Sequence, residues 1–324
     1  LAFTYTLPKD RIAIRPVTPP DCAKLLVATG EDPIKDLHFS DLSTLDLNQT
    51  LFVFNDTAVI KARFFGSFYD SSDELLDSGE VLLISEIDRT SWKAMGRPKR
   101  AIEKASKFKF EDEIATLING PDGEFTITFS HEDALKKGVM PIPPYIRDGR
   151  GDSTDEKDYQ TIFAKHLGSI AAPTASLHFT YQLVVELERF SKIEYLTLHV
   201  GTYSFRSPHQ YAPGKERFFI ADDVWRRIKE HRSQGGQVVA VGTTAVRALE
   251  SKARGMEGNT ELILTPGDKF LSVDKIITNF HQPGSTHLLL IEAFVGAKRL
   301  KDIYEHGLTN NYRFLSYGDG MLLG

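Results

Sequence analysis

Leu51-Phe52-Val53-Phe54 is an uninterrupted apolar run that stops at the polar triplet Asn55-Asp56-Thr57. Such a run bounded by turn residues predicts a strand buried on both faces. A second strand is predicted beyond the turn, from Val59 to Phe65. From Gly66 to about Met140 the pattern changes to short alternating runs: Glu80 to Glu86, Ser91 to Met95, Lys107 to Phe110, Ile114 to Ile118 and Glu124 to Phe129. Turn residues such as Asp88-Arg89 and Gly120-Pro121-Asp122-Gly123 separate them. Short, closely spaced strands of this kind predict a small antiparallel barrel or sandwich. The proline-rich Pro141-Ile142-Pro143-Pro144-Tyr145 ends that region, and the charged, glycine-containing stretch from Arg147 to Lys157 is expected to be mobile.

Thereafter helical and extended patterns alternate. Helices are predicted over Tyr181 to Phe190, Asp222 to Arg232 and Ala245 to Ala253, with strands over Tyr195 to Val200 and Val238 to Val241. A last strand is expected where Phe270 to Ile277 alternates around Leu271, Val273 and Ile276, and a last helix at Leu288 to Phe294. Alternation at this spacing means parallel strands joined by crossover helices. The fold class is therefore α/β, with a main domain of residues 1–65 and 141–324 interrupted by an inserted β domain of residues 66–140.

At 324 residues and 41% apolar content, the chain is long enough for two domains and is neither disordered nor fibrous. Its longest apolar stretch, Leu288 to Ala297, is broken by Glu292 and is too short to span a bilayer. No apolar core of signal-peptide length lies near the start, and the lone Cys22 cannot form an internal disulfide, so the expected location is the cytoplasm. The expected state is a monomer. A chain opening on Leu1 is expected to begin after its initiator methionine. The net charge of −5 argues against a globally basic nucleic-acid binder and leaves local patches. Three are visible: Lys93 to Arg100, the set Arg226, Arg227, Lys229 and Arg232, and the set Lys298, Arg299 and Lys301. Each is also what an ordinary solvated face looks like.

Four segments concentrate polar residues where a strand stops or a helix starts, and are expected to form one site. Thr278-Asn279-Phe280-His281-Gln282-Pro283-Gly284-Ser285-Thr286 places an imidazole, amides and hydroxyls between a strand and a helix. Ala171 to Thr180 supplies small residues that let a ligand approach the backbone, with Thr174, His178 and Phe179 among them and Thr180 placed as a helix cap. In Leu196 to Gly201 strand alternation puts Thr197 and His199 on the face opposite Leu198 and Val200. Val241-Gly242-Thr243-Thr244 opens a helix whose free N–H groups suit a carboxylate or phosphate, with Arg247 one turn in. Arg247 and Glu250 are equally spaced to pair with each other. His281 and His199 are the imidazoles best placed for proton transfer near neutrality, and Asn55 with Asp56 reads either as a functional turn or as a plain Asx turn. No metal is expected: His178, His199 and His281 lack the short spacing of zinc motifs. A Walker loop and a Gly-x-Ser-x-Gly elbow are both absent.

These segments carry a resemblance to the S-adenosylmethionine:tRNA ribosyltransferase-isomerase family of queuosine biosynthesis. It runs nearly end to end through Leu51 to Arg63, Pro143 to Arg147, Tyr159-Gln160-Thr161, Ala171 to Thr180, Thr197 to Gly201, Val241 to Ser251, Thr278 to His281 and Tyr312 to Leu322. The resemblance implies an α/β domain interrupted by a β-barrel. It also implies transfer and isomerisation of the ribosyl part of S-adenosylmethionine onto 7-aminomethyl-7-deazaguanine at the tRNA wobble position, giving epoxyqueuosine, adenine and methionine. S-adenosylmethionine is then a co-substrate, with no prosthetic group and no metal. The base that starts the reaction would be His281 or His199, with Asp56 and Glu250 as alternatives. Asn55, Thr174, His178, Phe179, Thr243, Thr244, Arg247 and Phe280 would bind substrate, and Arg97, Lys99 and Arg100 would contact tRNA. The chain departs from the family pattern between Gly201 and Arg217, where paired histidines are replaced and His209 and Glu216 are the nearest equivalents; Ser176, Gln282 and Gly284 also depart from it. Two alternatives stay open: a paralogue using S-adenosylmethionine on another acceptor, and a noncatalytic RNA-binding module on the same scaffold.

Overall fold

The structure, a computed structural model, describes residues 3–201 and 215–324. The departure between Gly201 and Arg217, His209 included, thus lies mostly outside the described residues.

The apolar run at Leu51 to Phe54 forms the strand Thr50–Asn55, every residue of which is buried. It sits inside a nine-stranded sheet among the described residues. Lys192–Leu198 and Gln237–Val241 pair with it in parallel on either side, and Lys275–Asn279 continues the parallel set beyond Gln237–Val241. The next strand, Gly320–Leu323, runs antiparallel to Lys275–Asn279 and parallel to Lys24–Ala28, and Lys35–His38 closes that edge. Glu216–Phe219 and Asn259–Thr260 form the other edge, both antiparallel. The sheet is therefore mixed around a parallel centre. Its buried faces hold Val53, Leu196, Val238 and Ile276 on one side and Phe52, Phe54, Val239 and Ile277 on the other, as period-two alternation requires.

The short alternating runs close into a six-stranded antiparallel barrel in the order Phe125–Thr128, Ser91–Arg97, Leu75–Glu86, Arg63–Tyr69, Lys107–Phe110 and Glu113–Asn119. Phe64, Phe68, Trp92, Phe108 and Ile127 fill it. The first barrel strand starts at Arg63, ahead of the expected edge at Gly66. The single strand expected from Val59 to Phe65 is two: Thr57–Val59 pairs with His166–Ser169, and a tight Ala62 N–H to Ile60 carbonyl bond of 2.8 Å turns the chain into the barrel.

Two further expectations are corrected. The strand expected over Phe270 to Ile277 is confined to Lys275–Asn279, because the N–H groups of Leu271, Ser272 and Val273 point at the Glu250 carboxylate instead of a neighbouring strand. The stretch Arg147 to Lys157 is not loose. Asp155, fully buried, accepts from Arg15 at 3.1 Å, from Asp152 N–H at 2.7 Å and from the Tyr317 hydroxyl at 3.2 Å, and pairs with Arg147.

Candidate active site

A cleft opens at the carboxyl ends of the central parallel strands, the place where open α/β sheets bind ligands. Two adjacent strands build it. Gln237–Val241 ends at Gly242, whose φ of +91° is reached without strain only by glycine, and the chain enters the helix Thr243–Ala253 at once. This turns Thr243 and Thr244 to the cleft. Lys275–Asn279 ends in Thr278 and Asn279, and the chain continues through Phe280 and His281 along the wall. Ala171 to Ala175 supplies a third side with little side-chain bulk, and Pro143, Tyr145, Tyr159 and Ser316 a fourth.

Hydrogen bonds order the polar groups. Thr174 donates to Asn279 Oδ1 at 3.0 Å, and Asn279 Nδ2 donates to His178 Nε2 at 3.1 Å. His178 is buried against Phe39, with ring centroids 4.3 Å apart; burial, helped by the charge of Arg313, pushes its pKa down to about 3. His281 Nε2 lies 2.9 Å from the Thr278 hydroxyl, while its backbone N–H donates to the Tyr304 hydroxyl at 2.9 Å and its carbonyl accepts from Tyr5. Burial, and then the neighbouring His287, hold the His281 imidazole well below its ordinary pKa, so the ring is neutral at pH 7. Tyr145 donates to or accepts from Ser316 at 2.7 Å, and burial raises its phenol to about 12.

Of the residues singled out from sequence, Thr174, Thr243, Thr244, Phe280 and His281 line this cleft together. The ring of Phe280 is fully buried, however, among Tyr304, Tyr312 and Phe314. Phe179 is likewise a core residue, packed on Phe39 and Phe54. Asn55 is buried with its amide fully engaged: Nδ2 donates to the Leu198 carbonyl and Thr244, and Oδ1 accepts from the N–H groups of Leu198 and Thr57. Glu250 is buried below the helix and accepts from Leu271, Ser272, Val273 and Arg254. Arg247 does not pair with it; its Nε donates to the Leu262 carbonyl at 3.0 Å and its Nη1 pairs with Glu216.

His199 and Asp56 belong to a second polar cluster at the next strand ends. His199 Nδ1 lies 2.9 Å from the Thr57 hydroxyl, and Asp56 accepts from Thr197 at 2.6 Å with His166 3.6 Å away. Burial lowers the His199 pKa, and the charges of Arg217 and His166 add to it. Arg97, Lys99 and Arg100 lie exposed on the barrel, Arg97 paired with Glu80 and Arg100 with Asp77. The patch on Asp222–Ser233 is largely occupied by ion pairs, with Arg226 on Glu230, Arg227 on Glu194 and Arg232 on Asp274. Among the described residues, no three His, Cys, Asp or Glu side chains are grouped to hold a metal.

His287, Asn279, Tyr145, Tyr159 and Ser316 line the cleft without having been singled out as site residues. Asn279 lies within the polar segment Thr278 to Thr286 and His287 directly follows it; Ser316 comes from far along the chain, and its signal was its place in the Tyr312 to Leu322 motif.

Residues 1–323 match the family described as queuosine biosynthesis protein. The S-adenosylmethionine:tRNA ribosyltransferase-isomerase of Erythrobacter litoralis is 37% identical over 99% of this chain and 96% of its own length. The enzyme of the same name from Rhodospirillum rubrum is 38% identical with the same coverage. Among solved structures, the S-adenosylmethionine tRNA ribosyltransferase of Thermotoga maritima matches over 99% of both chains with 30% identity and a TM-score of 0.57.

Proposed function

The chain belongs to the queuosine biosynthesis protein family, and from that premise we propose that it is a tRNA-modifying enzyme whose cleft between Gly242 and His281 holds S-adenosylmethionine. The reaction moves the ribosyl moiety onto the aminomethyl group of 7-aminomethyl-7-deazaguanine in tRNA, rearranges it to the epoxy-cyclopentane of epoxyqueuosine, and releases adenine and methionine.

The observation that carries this reading is the convergence of a helix N-terminus and a neutral imidazole on one cleft. The first N–H groups of a helix have no partner within it and attract a carboxylate; those at Thr243 and Thr244 suit the methionine end of the substrate. A sulfonium acidifies the adjacent 5′ C–H. His281, in its base form at pH 7, is suited to take that proton, after which the ribose ring opens, adenine leaves, the RNA amine captures the fragment, and the carbon–sulfur bond breaks to release methionine as the epoxide closes. Thr174 and Asn279 offer a paired hydroxyl and amide for the ribose hydroxyls, and Tyr145 an aromatic surface for the base or the cation. The exposed Arg97, Lys99 and Arg100 are suited to tRNA phosphates.

Incubation with labelled S-adenosylmethionine and tRNA bearing the aminomethyl base tests the reading: adenine is released and label enters tRNA. Adenine release only with another acceptor would replace tRNA as the substrate, and tRNA binding without adenine release would remove the catalytic role.

A further inference from the structure

Two imidazoles share the cleft, and the proton transfer above uses one. His287 is the second residue of the helix Thr286–Val295, whose start is set by the Ser285 hydroxyl accepting the Leu288 N–H at 3.2 Å. Side chains lean toward the N-terminus of their helix, and here that lean brings His287 to the cleft wall. Its ring lies against that of His281, with centroids 5.2 Å apart and planes 18° from parallel. Among the described residues, the hydrogen bonds of His281 are backbone bonds to Tyr5 and Tyr304 and the Thr278 hydroxyl on Nε2, and the face of its ring is stacked on His287.

We propose that His287 is a positioning residue for His281: it holds the neighbouring imidazole stacked in its orientation in the cleft and confines the two rings to a single shared proton. The proposal rests on the reading of His281 as the base. The orienting part follows from the stacking geometry. The one-proton part follows from charge: two imidazolium ions whose ring centroids lie 5.2 Å apart in a partly buried wall repel each other. Among the described residues, the Tyr5 and Tyr304 phenols bond the His281 backbone, and Arg247, which comes from the helix Thr243–Ala253 and is itself paired with Glu216, acts on His287 through its charge. Burial and the charge of Arg247 hold His287 at about 4. Both rings are therefore neutral at pH 7, and in acid a proton held on His287 opposes protonation of His281.

The test combines an NMR titration of the imidazoles in the full-length enzyme with pH–rate profiles for adenine release, using His287→Phe, which keeps a stacked ring, and His287→Ala, which does not. Both variants are expected to raise the His281 pKa and to move the acid limb of kcat to higher pH. His287→Ala is expected to lose about tenfold in kcat while His287→Phe retains several-fold more turnover than His287→Ala. An unchanged His281 titration in either folded variant overturns the shared-proton part, and equal turnover in the two variants overturns the positioning part. A His281→Ala enzyme with intact adenine release would instead remove His281 as the base, an outcome read independently of the titration.

Discussion

The carboxylate of Glu216 joins two distant parts of the chain: it accepts the N–H of Gly201 at 2.8 Å and forms a buried ion pair with Arg247, 31 residues away in sequence. Arg247 thereby fixes the helix that carries Thr243 and Thr244 to the edge strand Glu216–Phe219. Removing one member of a buried pair leaves the other as an uncompensated charge, which costs about 3 kcal/mol or more. Glu216→Ala is expected to lower stability by roughly that amount in urea denaturation, and Glu216→Ala/Arg247→Ala to lose less than the sum of the single variants.

Glu250 should prove structural. Its carboxylate binds the N–H groups of Leu271, Ser272 and Val273 and the Ser272 hydroxyl, outside the cleft lining. In Glu250→Gln an amide N–H₂ faces these donors, a change costing about 1–3 kcal/mol. Urea unfolding should show the loss, while adenine release per folded enzyme stays near wild type; a loss of about a thousandfold in kcat with normal stability would restore Glu250 as a candidate base.

Asn279 ties Thr174 in the cleft wall to His178 buried behind it. Asn279→Ala leaves both partners without their bond, and the KM for S-adenosylmethionine is expected to rise about tenfold, equivalent to about 1.4 kcal/mol. Initial-rate measurements at saturating tRNA decide it, and an unchanged KM would separate this pair from the substrate.

His178 makes stability depend on acid. Its folded pKa of about 3 lies below the ordinary 6.5 of an unfolded histidine, so the unfolded chain binds the extra proton first. The contribution is complete above pH 6.5 and is lost as pH falls from there toward 3, with a slope approaching about 1.4 kcal/mol per pH unit. His178→Gln should be less stable at pH 7 and should show a shallower fall between about pH 6.5 and pH 4 in urea titrations; an unchanged slope would mean that His178 does not titrate differently in the two states.

The barrel patch can be told from a solvated face by salt. Arg97 and Arg100 are highly exposed, at 71% and 84% of the side chain, so their ion pairs with Glu80 and Asp77 contribute little to folding. Arg97→Ala/Lys99→Ala/Arg100→Ala should leave stability within about 0.5 kcal/mol of wild type. It should weaken tRNA binding and flatten its salt dependence by about one unit for each phosphate that the variant no longer neutralises. An unchanged salt slope would assign the RNA to another surface.

Local pattern was sufficient for elements whose neighbours agree with it. Thr50–Asn55 is apolar on both faces because both faces are covered, and the barrel strands alternate because one face fills the barrel and the other meets solvent. Pattern failed where a distant group claimed the backbone. Phe270 to Asp274 alternates like a strand, yet Glu250 binds its N–H groups and ends the ladder. The helix Ala297–Thr309 follows the last helix expected from sequence and was missed there, although Leu300, Ile303, Tyr304 and Gly307 recur at helical spacing and are buried.

The order of residues by itself determined the α/β class, the change of texture at the barrel, the polar strand ends and the family resemblance, because each depends on neighbours in the chain or on motifs within it. Only the tertiary structure decided which polar residues meet. His281 and Thr243 face one cleft while His199 and Asp56 form another cluster, Arg247 pairs with Glu216 and leaves Glu250 to the backbone, and His287 stacks on His281. Strand order and helix crossovers set these distances, and neither is encoded in local spacing.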